Sequence, residues 1–90
     1  MAISTRLTKR LGITHPVISA PMDVIAGGRL AAAVSSAGGL GFLGGGYSDD
    51  DAWFEREFAE AGNQAVGCGF ITWSLRKNPK MLDAAIARKP

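Results

Sequence analysis

The stretch from Pro16 to Tyr47, PVISAPMDVIAGGRLAAAVSSAGGLGFLGGGY, reads as strand, loop, helix, glycine turn and second strand, with little room for another order. Val17, Ile18, Ser19 and Ala20 form a short, partly β-branched run that stops where Pro21 removes a backbone donor. After the Gly27-Gly28 break, Leu30 and Val34 stand at i, i+4 among small alanines, which predicts a helix from Leu30 to Ala37. Gly38 then suits the left-handed position just past a helix end. Leu40 to Leu43 is a second short apolar run bounded by glycine. Apolar strands that alternate with helices belong to parallel sheets, whose crossovers cover them.

The same rhythm continues. Ser48 is placed to cap a helix, with Asp49, Asp50 and Asp51 supplying favourable charge at its amino end. Phe54, Phe58 and Ala61 recur at i, i+4, i+7, Glu55, Arg56, Glu57 and Glu60 are assigned to the wet side, and Gly62 ends the helix. Val66 to Ile71 reads as a third buried strand, in which Gly67 and Gly69 permit close approach of a backbone or ligand. Asn78 followed by Pro79 predicts an N-cap and first helical position, with Met81, Leu82, Ala85 and Ile86 as the apolar stripe and Asp83, Arg88 and Lys89 facing water. The expected arrangement is three parallel strands in chain order with right-handed crossovers. No linker, repeat or low-complexity segment divides the chain, so residues 1–90 read as one incomplete domain.

Composition removes several function classes. A net charge of +2 without a dense basic block gives no support to nucleic-acid binding, and no apolar stretch approaches the ~18 residues of a membrane span. One cysteine forms no intrachain disulfide, and Cys68, inside an apolar run, is expected to be a small core residue. One His and one Cys far apart supply no zinc site. Acidic residues are absent before Asp23 while Arg6, Lys9 and Arg10 are present, a faint organelle-presequence character; cytoplasm is expected ahead of an organelle.

The segments PVISAPM, LAAAVSSAGGLG and GGGY resemble the amino-terminal signature of the nitronate monooxygenases, over about Leu7 to Leu75. That resemblance implies an FMN-dependent (β/α)8 barrel, of which these residues would be the amino-terminal three βα units, since a complete barrel takes ~250 residues. It implies oxidation of nitronates or nitroalkanes with dioxygen to a carbonyl compound and nitrite. FMN-dependent enoyl-acyl carrier protein reductases share much of the signature, and IMP dehydrogenase-type barrels share its outline. Those reductases are the nearest enzyme alternative, and a non-catalytic barrel fragment or interaction module is the alternative of a different class.

Ligands of parallel α/β folds bind at the carboxyl ends of the strands. That rule selects Ala20 to Asp23, Gly44 to Gly46 and Gly69 to Ser74. An isoalloxazine ring needs an apolar platform, close backbone approach and a few polar partners. The resemblance carries Pro21, Met22 and Asp23 over as FMN contacts, and Gly44 and Gly69 complete the candidate cofactor-binding set. In purely structural terms Pro21 terminates a strand and Met22 fills a gap. Many relatives carry Asn where this chain has Gly69, which removes a side-chain hydrogen bond, and a carboxylate at Asp23 opposes the charge of reduced flavin, so its contact is expected through the backbone.

Gly39, Gly41 and Gly44 fit G-x-G-x-x-G, but here the motif begins at a helix end and spans a strand, whereas a dinucleotide fingerprint follows a strand and opens a helix. His15 precedes the first strand, at the end opposite to catalysis, and is expected to be structural or exposed. The family's catalytic histidine lies later in the barrel, so no catalytic residue is assigned here. Trp73 is placed either to line a substrate cavity or to cover the barrel rim. Without barrel neighbours, the strand edges are expected to drive self-association, and FMN binding by these residues alone is expected to be weak or absent.

Overall fold

The computed structural model describes residues 3–22, 25–45 and 51–90. Among them the elements run α1 (Arg6–Leu11), α2 (Gly28–Ser36), β1 (Gly41–Gly45), α3 (Asp51–Ala61), β2 (Val66–Phe70), α4 (Thr72–Lys77) and α5 (Lys80–Ala87). β1 and β2 pair in parallel, with Gly41 opposite Val66 and Gly45 opposite Phe70. This is the α/β arrangement with a parallel sheet that the alternating pattern requires.

The first apolar run departs from expectation. It forms a single parallel bridge, Ile18 to Leu40, rather than a strand. Leu40 N–H donates to Val17 C=O at 2.9 Å and Ser19 N–H to Leu40 C=O at 3.1 Å. The next rung is taken by a side chain, because Phe42 N–H donates to Ser19 Oγ at 3.1 Å. Val17 and Ile18 remain exposed. A ladder two bonds long, continued by a hydroxyl, leaves this run at the edge of β1 without regular strand geometry.

α2 also corrects the sequence reading. It begins at Gly28, and Leu30 is 43% exposed while Ala31 is fully buried. The buried side is made of small residues because the helix backbone itself reaches the sheet and α3. A Cβ at Gly41 would overlap the Ala31 carbonyl, and one at Gly28 would overlap the Glu57 carbonyl. Leu30 has no room on that side. Gly38 follows the helix at φ +108°, as its place after the helix end predicts.

α3 behaves as its periodicity says: Phe54, Phe58 and Ala61 are buried. Ser48, Asp49 and Asp50, assigned to its cap, lie outside the described residues. Glu57 is a correction, since its side chain is only 19% exposed rather than on the wet side. α5 buries Met81 and Ala85 but leaves Leu82 and Ile86 exposed, so half of the expected stripe is used. Its cap is Pro79 rather than Asn78, with Met81 N–H bonded to Asn78 C=O at 3.3 Å. Asp83, Arg88 and Lys89 are exposed as expected, and Arg88 pairs with Glu55 and lies 5.8 Å from the Phe58 ring centroid.

Two short helices have no counterpart in the sequence reading. α1 is capped reciprocally: Thr8 N–H donates to Thr5 Oγ1 at 3.2 Å and Thr5 N–H to Thr8 Oγ1 at 2.8 Å. This is a capping box with Thr where Glu or Gln is usual. α4 follows β2 directly, after Ile71.

The core lies on one face of the sheet, where Leu43 meets Ala31, Phe54, Phe58, Ala61, Val66, Met81 and Ala85. Phe54 stacks with Phe70 at 5.9 Å and meets Phe58 edge-on at 4.7 Å, geometries that add to their area burial. Cys68 packs against this cluster, half-buried, and burial pushes its thiol pKa up.

Candidate flavin-facing site

Register fixes which residues share a face. Side chains alternate along strands, so Phe42, Gly44, Gly67 and Gly69 lie on the face opposite to Leu43, Cys68 and Phe70. Gly44 and Gly69 are direct partners near the carboxyl ends of β1 and β2. On this face each glycine of β2 is covered by an apolar ring. A Cβ at Gly67 would lie 2.8 Å from Phe42 Cζ, and one at Gly69 would lie 2.6 Å from Pro21 Cγ.

Pro21 reaches Gly69 because the chain reverses after Ala20. Met22 N–H donates to Ala20 C=O at 3.0 Å, a three-residue turn centred on Pro21. The loop is then tied down twice: Ala26 N–H donates to Met22 C=O at 2.8 Å, and Gly44 N–H donates to Ala26 C=O at 2.9 Å. Met22 is 47% exposed beside this turn.

The structure therefore brings Pro21, Met22, Gly44 and Gly69 to one place. Asp23 lies outside the described residues. The N–H groups of Met22 and Gly44 are bound within the chain, so this cluster offers apolar contact rather than donors. It suits the flat face of an aromatic ring system. The polar edge of such a ring must be met by other groups. A side chain at position 69 would require the Pro21 ring to move, which is why glycine is compatible with this turn.

His15 is half-buried at the opposite end, where its own N–H and that of Thr14 both bond Gly38 C=O at 2.9 Å. It packs on the Gly38 turn, a structural role. Trp73 is exposed on α4, with Lys77 Nζ 5.3 Å from its ring centroid. Among the described residues no group of three or more His, Cys, Asp or Glu is placed to hold a metal ion, and no helix is long and apolar enough to cross a membrane.

One residue of consequence was not singled out by the sequence reading. Glu57 Oε1 accepts from Gly28 N–H at 3.0 Å and so caps α2 from α3. The signal was available, since a helix opening on Gly27-Gly28 has no side-chain cap of its own.

A family model, nitronate monooxygenase, matches residues 4–61, more than half of the chain. The chain belongs to the nitronate monooxygenase family. Nitronate monooxygenase npaC of Metarhizium robertsii is 44% identical over 71 residues, covering 64% of this chain and 20% of the relative. A probable nitronate monooxygenase of Staphylococcus saprophyticus is 45% identical over 51 residues, 57% of this chain and 14% of the relative. A (3aS,4S,5R,7aS)-5-hydroxy-7a-methyl-1-oxo-octahydro-1H-indene-4-carboxyl-CoA dehydrogenase of Mycobacterium tuberculosis is 49% identical over 43 residues, 48% of this chain and 12% of the relative. The alignments thus span a fifth or less of these relatives' lengths. No solved structure matches.

Proposed function

We propose that this chain supplies the opening βα units of an FMN-dependent (β/α)8 barrel that oxidises nitronates with dioxygen, and that Pro21, Met22, Asp23, Gly44 and Gly69 form its contribution to the flavin site. The observation that carries this reading is the Pro21 ring seated on Gly69, beside Gly44, at the carboxyl ends of parallel strands in a chain of this family. Strand carboxyl ends are where barrels place their chemistry.

The residues fit one part of the cofactor. Pro21 and Met22 provide the exposed apolar platform, and Gly69 leaves the room in which the Pro21 ring is seated. FMN, when bound, supplies the electron transfer and dioxygen chemistry. The chain's own residues position and shield: the turn at Pro21 fixes the height of the platform, and the bonds from Ala26 to Met22 and from Gly44 to Ala26 hold it against β1. A fixed platform matters because small displacements of a reacting group cost large factors in rate. The phosphate end and the proton-accepting base are assigned to later barrel strands.

The test compares the chain with a form extended through the coding region downstream of Pro90. The extended form should bind FMN with quenched fluorescence and release nitrite from a nitronate while consuming dioxygen, and the shorter chain should bind weakly. An extended form that fails to bind FMN would overturn the reading. Tight binding by the shorter chain would show that the essential contacts are placed wrongly.

A further inference from the structure

We propose that Glu57 is a positioning residue for the turn at Pro21 and Met22. It acts through a relay of backbone bonds rather than by touching a ligand. The inference rests on the flavin reading for its functional meaning, but the relay is visible without it. α2 opens on two glycines and has no side-chain cap. Its first amide, Gly28 N–H, is instead bound by Glu57 Oε1 at 3.0 Å. The carboxylate reaches in from α3, 29 residues away, and its side chain is mostly buried there. Two residues before Gly28, Ala26 bridges the turn and β1. Its N–H holds Met22 C=O and its C=O holds Gly44 N–H. Fixing Gly28 therefore fixes the segment that clamps the turn to β1. The approach is also sterically confined, because a Cβ at Gly28 would meet Glu57 O and one at Gly27 would meet Glu57 Oε1. A negative charge at a helix amino end adds favourable interaction with the exposed amides.

Reach and charge separate in the variants. Glu57→Gln keeps an acceptor oxygen at the same distance, Glu57→Asp keeps the charge but is one methylene shorter, and Glu57→Ala removes both. Amide hydrogen exchange is read at Gly28, Ala26 and Gly44, with Leu43 and Gly69 in the sheet as reference, and FMN affinity is measured on the same proteins. In E57A and E57D the three relay amides should exchange about tenfold faster, the size expected for a lost helix cap. The sheet amides should not change, and E57Q should stay close to the parent. Where FMN binding is measurable, it should weaken in E57A and E57D and be restored in E57Q. Equal acceleration of every amide in E57A and E57D would reduce Glu57 to a general stabilising residue and overturn the proposal, as would unchanged Ala26 and Gly44. Relay behaviour as expected with no FMN affinity in the parent chain, even when extended, would instead overturn the flavin reading and leave the relay standing.

Discussion

On one face of the β1–β2 sheet, Leu43, Cys68 and Phe70 stand among helical side chains and build the core; on the other, Phe42 and Pro21 lie flat over Gly67 and Gly69. The first face is closed by three helices and dominated by Phe54, which is 1% exposed. The second has its coverage from a single ring on its own strand and a single turn. The contrast divides labour in packing: the helical face holds the elements together, and on the other face Gly67 and Gly69 let the Phe42 and Pro21 rings lie close against the strand. Substitutions should separate accordingly into those that cost stability and those that alter binding.

The largest expected effect is Phe54→Ala. Removing a fully buried ring that contacts Phe58 and Phe70 should cost about 3–5 kcal/mol, read as a lower urea midpoint. A loss under ~1 kcal/mol would mean that the helical face is not the main core. On the glycine face, Gly69→Ala sets a methyl against the Pro21 ring and should cost about 1–3 kcal/mol. Met22→Ala, at an exposed position, should leave stability within ~0.5 kcal/mol while weakening any FMN binding. If Met22→Ala destabilises as much as Phe54→Ala, the division of labour fails.

Exposed edges give the next expectation. Leu82 and Ile86 line an apolar groove of about 480 Å³ with Cys68, Phe70 and Ala85, and Val17 and Ile18 are exposed along the other edge. Sedimentation should show self-association that falls with Ile86→Lys, because a charge opposes apolar contact. A concentration-independent monomer in both proteins would count against it.

The smallest effect is that of pH on Cys68. Its thiol pKa is raised from 9.0 by burial in the folded chain, so the unfolded chain loses the proton first as pH rises. Stability is then full below pH 9.0 and declines as pH climbs toward the folded pKa. Cys68→Ala should flatten that decline in urea melts taken across the alkaline range.

Much of this architecture was legible because periodicity reports burial directly. Phe54, Phe58 and Ala61 announce α3, and the run Val66 to Ile71 announces β2, which ends one residue earlier at Phe70. Leu30 misled because its size suggested the core, whereas α2 packs through backbone and small residues. The first strand was overread because apolar β-branched residues cannot reveal how many neighbours will hydrogen-bond to them. α1 was missed since Thr8 stands in for the usual Glu of a capping box. Pro21, Met22, Gly44 and Gly69 were selected as candidates from strand ends and resemblance, but their shared geometry depends on a turn and on backbone bonds through Ala26 that no local pattern encodes. Glu57 is the clearest case: the helical pattern puts it among the solvated charges beside Arg56, with which it pairs, and only the approach of α2 brings Gly28 N–H to its other oxygen.

The seam where α2 meets β1 and α3 has a further consequence for folding. Its contacts at Gly28, Ala31 and Gly41 are made by residues with no rotamers to immobilise, so these contacts forfeit no side-chain entropy, against ~0.5–1 kcal/mol for each Leu or Ile buried, and the ordering cost falls instead on Glu57 and Ser35, which hydrogen-bond across the seam. The helix is therefore positioned along the strand by hard contact and by two hydrogen bonds, Gly28 N–H to Glu57 Oε1 and Gly41 N–H to Ser35 Oγ, rather than by interlocking apolar side chains.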